Sequence, residues 1–194
     1  MSPVPRARLS TVSVVSAAVE LVDERPGGVL TLAAVASRTG VATPSLYKHV
    51  RSLEALRQKV SARVTAELAD VLSTAIAGRS GKEALGFLAD AYREYALAYP
   101  GRYPLTQRVP DAEDPVHLAA GEQAVQAVFA ALRGYGLDGD EAIHATRVVR
   151  SALHGFVSLE VDGGFGLPQD VGRSFKRLVS ALHASLSSWR EAAR

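Results

Sequence analysis

The stretch "LTLAAVASRTGVATPSLYKHVRSLEAL", residues 30–56, decides the fold of this chain. Its first part predicts a short helix, because apolar side chains recur at helical spacing behind Thr31, a residue suited to the N-cap. Gly40 follows where a left-handed residue ends a helix. For the next helix we predict Thr43 as N-cap and Pro44 as the first helical residue. Two short helices joined by about four residues around a glycine make a helix-turn-helix.

A helix in front of this motif completes a three-helix unit. Ser10 is its predicted N-cap, since a valine stripe at spacings of three and four follows it. The valines predicted on the buried face are Val12, Val15, Val19 and Val22. The helix should end at "RPGG", residues 25–28, because Pro26 removes a backbone donor and the glycines unwind the end.

The outward surface of the third helix carries hydrogen-bonding side chains and no carboxylate. A surface that serves only solvation normally carries both signs of charge. The absence of acids therefore predicts contact with phosphates and base edges. A solvated helix end for His49 and half-buried packing for Tyr47 remain the alternatives.

The charge of the chain is concentrated near its start. The whole sequence carries +2, whereas residues 1–60 hold eight Lys and Arg against four acids and the remainder holds 14 against 16. Between Glu24 and Glu54 there is no acid at all. This asymmetry favours a small basic module that meets a polyanion, joined to a near-neutral remainder.

Residues 30–56 resemble the DNA-binding domain of the tetracycline-repressor (TetR) family of bacterial transcriptional regulators. The matching positions are Thr31, Val35, Ala36, Gly40, Val41, Leu46, Tyr47, His49 and Leu56. Ala33 stands where many members carry Arg and Leu53 where many carry Lys, which leaves one base contact and one phosphate contact open. The resemblance implies a transcriptional regulator, commonly a repressor, that binds a palindromic operator in double-stranded DNA as a homodimer and is released by a small-molecule effector.

This resemblance also implies which residues face DNA. The N-terminal end of the third helix should enter the major groove, with Lys48 at a guanine edge or a phosphate and Tyr47 and His49 at phosphates. The predicted DNA-binding residues are Thr31, Ala42, Thr43, Pro44, Ser45, Tyr47, Lys48, His49 and Arg51. An N-terminal arm with Arg6 and Arg8 either tracks the duplex or is a tail without such a role.

The rest of the chain is helical in pattern. Apolar residues at helical spacing predict long helices at 52–76, 82–98, 116–134, 140–161 and 169–190, with a short turn of helix within 102–107. The predicted fold is therefore all-α, with about nine helices. We expect a helix-turn-helix DNA-binding domain at 1–51 and an effector-binding and dimerisation domain at 52–194.

The last two long helices each carry an apolar face. In the family that the sequence resembles, such a pair forms a four-helix bundle across a two-fold axis, although both helices could instead complete the core of the monomer. The predicted dimer-interface residues are Ala145, Val149, Ala152, Phe156, Phe175, Leu178, Leu182 and Leu186. The segment "ALHGFVSLE", residues 152–160, resembles a signature of one branch of the family's C-terminal domains, marked by a His-Gly pair.

The family resemblance further implies a ligand cavity in the second domain. The aromatic face of the helix at 82–98 is its predicted wall, with a few polar side chains from elsewhere. The predicted ligand-binding residues are Tyr92, Tyr95, Tyr99, Tyr103, Gln107, His117, Phe129 and His154. Plain core packing is the alternative for each of them.

Several other classes find no support in the sequence. The chain has no cysteine, its five histidines are scattered, and no acid–base pair or phosphate loop appears, so we expect no enzyme, cofactor or metal. No apolar run is long enough for a membrane span or a signal peptide, and we expect a cytoplasmic protein. A helical dimeric binding or scaffold protein without DNA binding is the rival hypothesis.

Overall fold

The computed structural model describes residues 9–189 of the chain, so the predicted arm with Arg6 and Arg8 lies outside the described residues. Within that range the chain forms eight α-helices, two short 3₁₀ helices and no strand, which confirms the all-α prediction. The α-helices are α1 (Thr11–Glu24), α2 (Leu32–Thr39), α3 (Thr43–Leu46), α4 (Leu53–Ile76), α5 (Gly81–Ala98), α6 (Pro115–Leu132), α7 (Gly139–Val161) and α8 (Val171–Ser187). The 3₁₀ helices are Tyr103–Gln107 and Arg133–Tyr135.

α1 begins at the predicted cap and buries Val15 and Val19, two of the four valines predicted for its inner face. The Ser10 hydroxyl accepts the Ser13 N–H at 3.1 Å and the Ser13 hydroxyl accepts the Ser10 N–H at 2.9 Å, which makes a capping box. The predicted valine stripe is wrong at its start, since Val12 is 73% exposed. The centre of the buried face runs through Val14 and Ala18, so Val12 lies at the edge of that face, in the first turn.

The turn between α2 and α3 has the predicted glycine geometry. Thr31 caps α2 by accepting the Ala34 N–H at 3.2 Å, and Gly40 has a φ of 69°, a conformation that glycine adopts without strain. The predicted N-cap of α3 is wrong by one residue. Ala42 is the cap, because its carbonyl accepts the Ser45 N–H at 2.8 Å and the helix therefore starts at Thr43.

The protein has two hydrophobic cores that share one helix. The first core joins α1, α2, α3 and the first half of α4, including Leu56, Val60 and Val64. The second half of α4 enters a larger core that α5, α6, α7 and α8 complete. The predicted domain boundary after residue 51 falls at the start of α4, and the division into domains stays a prediction.

A turn that follows α5 also ties the two cores together. A Cβ on Gly101 would lie 2.2 Å from the Val22 carbonyl oxygen, so only glycine fits against α1 here. The next residue, Arg102, places Nε and Nη2 at 2.8 and 2.6 Å from the two carboxylate oxygens of Asp23, and Nη1 at 2.9 Å from Glu67 Oε2. This fork fixes the end of α1 against α4.

α7 and α8 pack against α5 with the apolar stripes that the sequence shows. Five of the predicted dimer-interface residues are buried inside the protomer: Ala145, Val149, Phe175, Leu182 and Leu186. Ala152, Phe156 and Leu178 are only partly buried. The stripes thus face the protomer's own core, as the alternative to a dimer contact expects, and the dimer contact of these eight residues stays a prediction. Within residues 9–189 no helix is both long enough and apolar enough to cross a bilayer.

Candidate nucleic-acid interface and internal cavity

The segment around α3 has a buried side and an exposed side. Leu46 and Val50 are anchored in the first core, whereas Tyr47 is 56% exposed and Lys48 is exposed beside it. His49 is half-buried, and its carbonyl accepts the Thr11 hydroxyl at 3.4 Å. The core thus holds this segment against α1 while the side chains of Tyr47 and Lys48 project outward.

The structure brings the predicted DNA-binding residues onto the start of α2 and the segment around α3. Six of them are exposed: Thr31, Ala42, Pro44, Tyr47, Lys48 and Arg51. Thr43, Ser45 and His49 are half-buried. Hydroxyl, phenol, imidazole and ammonium groups at this surface suit phosphate oxygens and base edges, as the sequence predicts.

Arg38 does not belong to this surface, although a count of basic residues includes it. Its guanidinium lies 3.1 Å from Glu20 Oε2 and also pairs with Glu24, which ties α2 to α1. The hydrogen bond to Arg38 lowers the pKa of the Glu24 carboxyl and the same pairing raises the pKa of Arg38. The sequence did not predict these ion pairs, because Glu20 and Glu24 lie on α1 and Arg38 lies on α2, and only the packing of the two helices brings them together.

The second core contains a cavity of about 380 Å³. Side chains from α4, α5, α6 and α7, from the first 3₁₀ helix and from the segment after it form its wall. The surface of the wall is mostly apolar, and its aliphatic side chains include Leu68, Leu72, Leu88, Val125, Val128, Val149 and Leu153. An apolar hollow of this size with a few polar groups is typical of a small-molecule site.

One side of the cavity is a chain of hydrogen bonds. Arg150 Nη2 donates to Gln107 Oε1 at 3.1 Å, and Gln107 Nε2 lies 3.5 Å from the Tyr92 hydroxyl. The Tyr92 and Tyr103 hydroxyls are 2.9 Å apart, and the Tyr103 hydroxyl is 2.6 Å from His154 Nδ1. Burial raises the pKa of both tyrosines, so their phenols stay protonated at neutral pH.

His117 joins the cavity to α4. Its Nδ1 lies 3.2 Å from Gln58 Oε1 and its Nε2 lies 3.1 Å from the Ser61 hydroxyl. A neutral imidazole suits these two partners, since one of its ring nitrogens donates and the other accepts. Burial lowers the pKa of His117, which favours this neutral form.

Two threonines on opposite helices leave their hydroxyls unpaired in the cavity wall. Thr65 on α4 and Thr146 on α7 both line the cavity, and both Oγ1 atoms are buried without a hydrogen-bond partner among the described residues. Such buried groups are rare and cost free energy until a partner reaches them. No pattern in the sequence points to either residue, because each lies within an apolar helical pattern.

Only some of the predicted ligand-binding residues line the cavity. Tyr92, Gln107 and His117 do so, and Tyr103 and His154 lie behind Tyr92 in the hydrogen-bond chain. The others lie outside its wall: Tyr95 donates to the Val64 carbonyl at 3.2 Å, Tyr99 is exposed, and Phe129 is half-buried. Residues at different positions of a helix point to different sides, so of the two tyrosines on α5 Tyr92 faces the cavity and Tyr95 does not.

A wider crevice of about 600 Å³ opens on the outside, between the turn before α5 and the end of α6. Arg79 on its rim is already engaged, with Nε 3.3 Å from Glu83 and its guanidinium 3.9 Å above the Phe87 ring. The crevice is open to solvent, whereas the internal cavity is bordered by core residues such as Leu72 and Leu153 on one side and reaches the surface only at exposed residues such as Glu122 and Arg150. The internal cavity is therefore the better candidate for a small-molecule site.

Comparisons with known proteins agree with this architecture. The family model described as "Tetracyclin repressor-like, C-terminal domain" matches residues 85–182. The HTH-type transcriptional regulator Rv0681 of Mycobacterium tuberculosis is 43% identical over 158 residues, which cover 81% of this chain and 72% of that protein. YobS, an HTH-type transcriptional regulator of Bacillus subtilis, is 33% identical over 184 residues, covering 94% of this chain and 95% of YobS.

Solved structures share the fold at lower identity. A variant of TetR from Acinetobacter baumannii in complex with minocycline has a TM-score of 0.73 at 21% identity, covering 94% of this chain and 99% of that one. BioQ of Mycobacterium smegmatis has a TM-score of 0.69 at 22% identity, with 93% and 99% covered. The chain belongs to the TetR family of helix-turn-helix transcriptional regulators. The branch suggested by His154 and Gly155 stays a prediction.

Proposed function

We propose that this protein is a ligand-responsive repressor that binds a palindromic operator as a homodimer and leaves it when a small molecule occupies the internal cavity. The observation that carries the DNA-binding part is the surface around α3. There Tyr47 and Lys48 project from a segment anchored by Leu46 and Val50. No acid interrupts the chain between Glu24 and Glu54, so this surface is suited to enter a major groove.

The outer faces of α7 and α8 support the dimer. Val148 and Leu159 on α7 are 41% and 52% exposed, and Gly155 between them is exposed as well. On α8, Ala181 and Ala184 are exposed. Small and aliphatic residues on two adjacent helices allow the same pair of a second chain to approach closely about a two-fold axis. A symmetric dimer in turn requires half-sites about 10 bp apart or a multiple of that spacing.

Two kinds of contact support a route from the cavity to DNA. Arg108 lines the cavity and its guanidinium pairs with Glu54, in the first turn of α4. The Ser61 hydroxyl, which also contacts His117, donates to the Leu105 carbonyl at 2.7 Å. The segment that follows Arg102 therefore contacts α4 on one side and the cavity on the other. A ligand that changes the position of this segment therefore moves α4. In a dimer this changes the distance between the two α3 segments, which must match the spacing of the major grooves.

The release step has a thermodynamic requirement. A ligand shifts the equilibrium only if it binds the DNA-free conformation more tightly than the DNA-bound one. The unpaired hydroxyls of Thr65 and Thr146 lie on α4 and α7, so a ligand that bonds to both can fix the relative position of these two helices. The effect must be reciprocal, because operator DNA then weakens ligand binding by the same factor. The minocycline complex of a neighbour with this fold supports a small-molecule ligand here.

A gel-shift assay tests the proposal directly. The full chain is titrated against the DNA upstream of its own gene at low salt, with a shuffled fragment of equal length and composition as control. We expect a specific shift of the upstream fragment, with two chains on each palindromic site. Equal binding to both fragments would contradict an operator-specific repressor. Light scattering of the free protein checks the dimer, which a stable monomer at micromolar concentration would exclude.

A further inference from the structure

We infer that the effector is an anionic amphiphile, whose carboxylate or similar acidic group binds Arg150 while its apolar body fills the internal cavity. This inference rests on the proposed ligand-responsive function and adds the chemical class of the ligand. The starting observation is that Arg150, an exposed residue of α7, lines a cavity whose surface is mostly apolar.

The guanidinium of Arg150 has capacity left for a ligand. It makes one hydrogen bond in the structure, from Nη2 to Gln107 Oε1, while an arginine has five N–H donors. Among residues 9–189 it has no ion pair with a carboxylate. Arg108, which also lines the cavity, differs in this respect because Glu54 already pairs with it. A guanidinium fork at the edge of an apolar hollow is a suitable partner for a carboxylate.

The groups around Arg150 favour an anion over a cation. Tyr92 and Tyr103 are protonated phenols, and the imidazole of His154 is neutral because burial and the charge of Arg150 both lower its pKa. Arg150 itself is exposed, and among the described residues no carboxylate forms an ion pair with it on this side of the cavity. Glu122 also lines the cavity, from the exposed side of α6. A cationic probe consequently has to be part of the test.

The size of the cavity selects the probes. About 380 Å³ lies at the small end of the range for drug-sized ligands. Decanoate, decanamide and decylamine have the same alkyl chain and differ in the charge of the head group. Each is used below its micelle concentration and titrated calorimetrically into the full-length protein without DNA.

We expect decanoate to bind roughly tenfold more tightly than decanamide, because hydrogen bonds to a charged group are stronger than those to a neutral one. Decylamine should bind most weakly. Arg150→Gln should remove the preference for decanoate over decanamide, and Arg150→Lys should keep part of it. Arg147→Gln is the matched control, since Arg147 is exposed one turn earlier on α7 and outside the cavity wall.

The outcomes separate this inference from the proposed function. Equal binding of decanoate and decanamide, tighter binding of decylamine, or an undiminished preference in Arg150→Gln would each overturn the anionic class. Absence of binding by all three probes would overturn it too. In either case operator release by some other ligand is measured separately in the gel shift. Binding of decanoate through Arg150 without any change in DNA affinity would support the site and contradict the proposed release.

Discussion

The two cores of this protein are both built from α-helices, but they differ in where their polar groups lie. The first core is filled by aliphatic side chains, and the polar residues at α3 are exposed or half-buried at its edge. The second core borders a cavity whose wall includes two unpaired buried hydroxyls and the buried imidazole of His117. The first region thus presents its polar groups on the surface, whereas the second has buried polar groups in the wall of a cavity.

This difference shows what each site requires of the chain. A surface that enters a DNA groove needs a rigid base, and close packing provides it. A cavity that responds to a ligand needs groups without partners in the free state, at some cost in stability. The shared helix α4 connects the two requirements, with Leu56 in the first core and Leu72 in the second.

The largest expected effect distinguishes the buried residue that anchors α3 from the exposed residue next to it. Leu46→Ala should lower the free energy of unfolding by about 2–5 kcal/mol, because it leaves a cavity where a fully buried side chain packed. The neighbouring exposed Tyr47→Ala should lower DNA affinity and change stability by less than about 0.5 kcal/mol. Urea unfolding and gel shift measure the pair. Similar loss of stability in both variants would contradict the division between anchor and display.

Lys48→Ala sharpens the DNA side of the comparison. If Lys48 contacts a phosphate, the slope of log affinity against log salt should fall by about 0.9 for each of the two chains on the operator. If it reads a guanine, the loss should be about 1–3 kcal/mol for each half-site and confined to the operator. Lys82→Ala, an exposed lysine on α5, is the matched control. Operator binding of Lys48→Ala that equals wild type across the salt series would remove Lys48 from the interface.

Thr65→Val and Thr146→Val test whether the unpaired hydroxyls in the cavity wall lower the stability of the second core. Each replaces a buried unpaired hydroxyl by a methyl group of the same shape, so the free energy of unfolding should rise by about 1 kcal/mol. Thr74→Val, at an exposed position of α4, should change it by less than about 0.5 kcal/mol. Thermal unfolding without ligand measures all three. Destabilisation by both cavity variants would mean that the hydroxyls have partners in the free protein.

The smallest effect concerns the connection between the regions. Arg108→Gln should weaken the decanoate-induced loss of operator affinity by a few-fold, since the pair with Glu54 is partly exposed and contributes about 1 kcal/mol at most. Glu54→Gln should do the same, and the double variant should add nothing further. Arg79→Gln removes a comparable pair, with Glu83, that does not reach the cavity. Additive effects of the two single variants would show that they act independently.

Much of the first region was predictable because its signals are local. Ser10, Thr31 and Gly40 lie where the sequence places a cap or a turn, and helical spacing placed α2 and most of α4. The errors, at Val12 and Thr43, concern a side chain at the edge of a helical face and a helix start displaced by one residue. Local periodicity leaves such details undecided.

The cavity was predictable only in part. The prediction of an apolar pocket with a few aromatic and polar groups included Tyr92, Gln107 and His117, and all three line the cavity. Thr65, Thr146 and Arg150 were missed. Each is a residue type common in helices, and its place in the cavity wall depends on the helices opposite. Those helices are distant in sequence, so no local pattern identifies these residues.

The sequence by itself determined the all-α fold, the helix-turn-helix and the residues that this motif presents, because helix periods, caps and turns depend on neighbouring residues. The tertiary structure decided which charges are paired with acids of the same chain, as with Arg38, and which buried polar groups are left without partners, as with Thr65 and Thr146. It also turned Ala145, Val149 and Phe175 into the protomer's own core. A helix carries its own hydrogen bonds along the chain, whereas burial and pairing exist only once distant helices have packed.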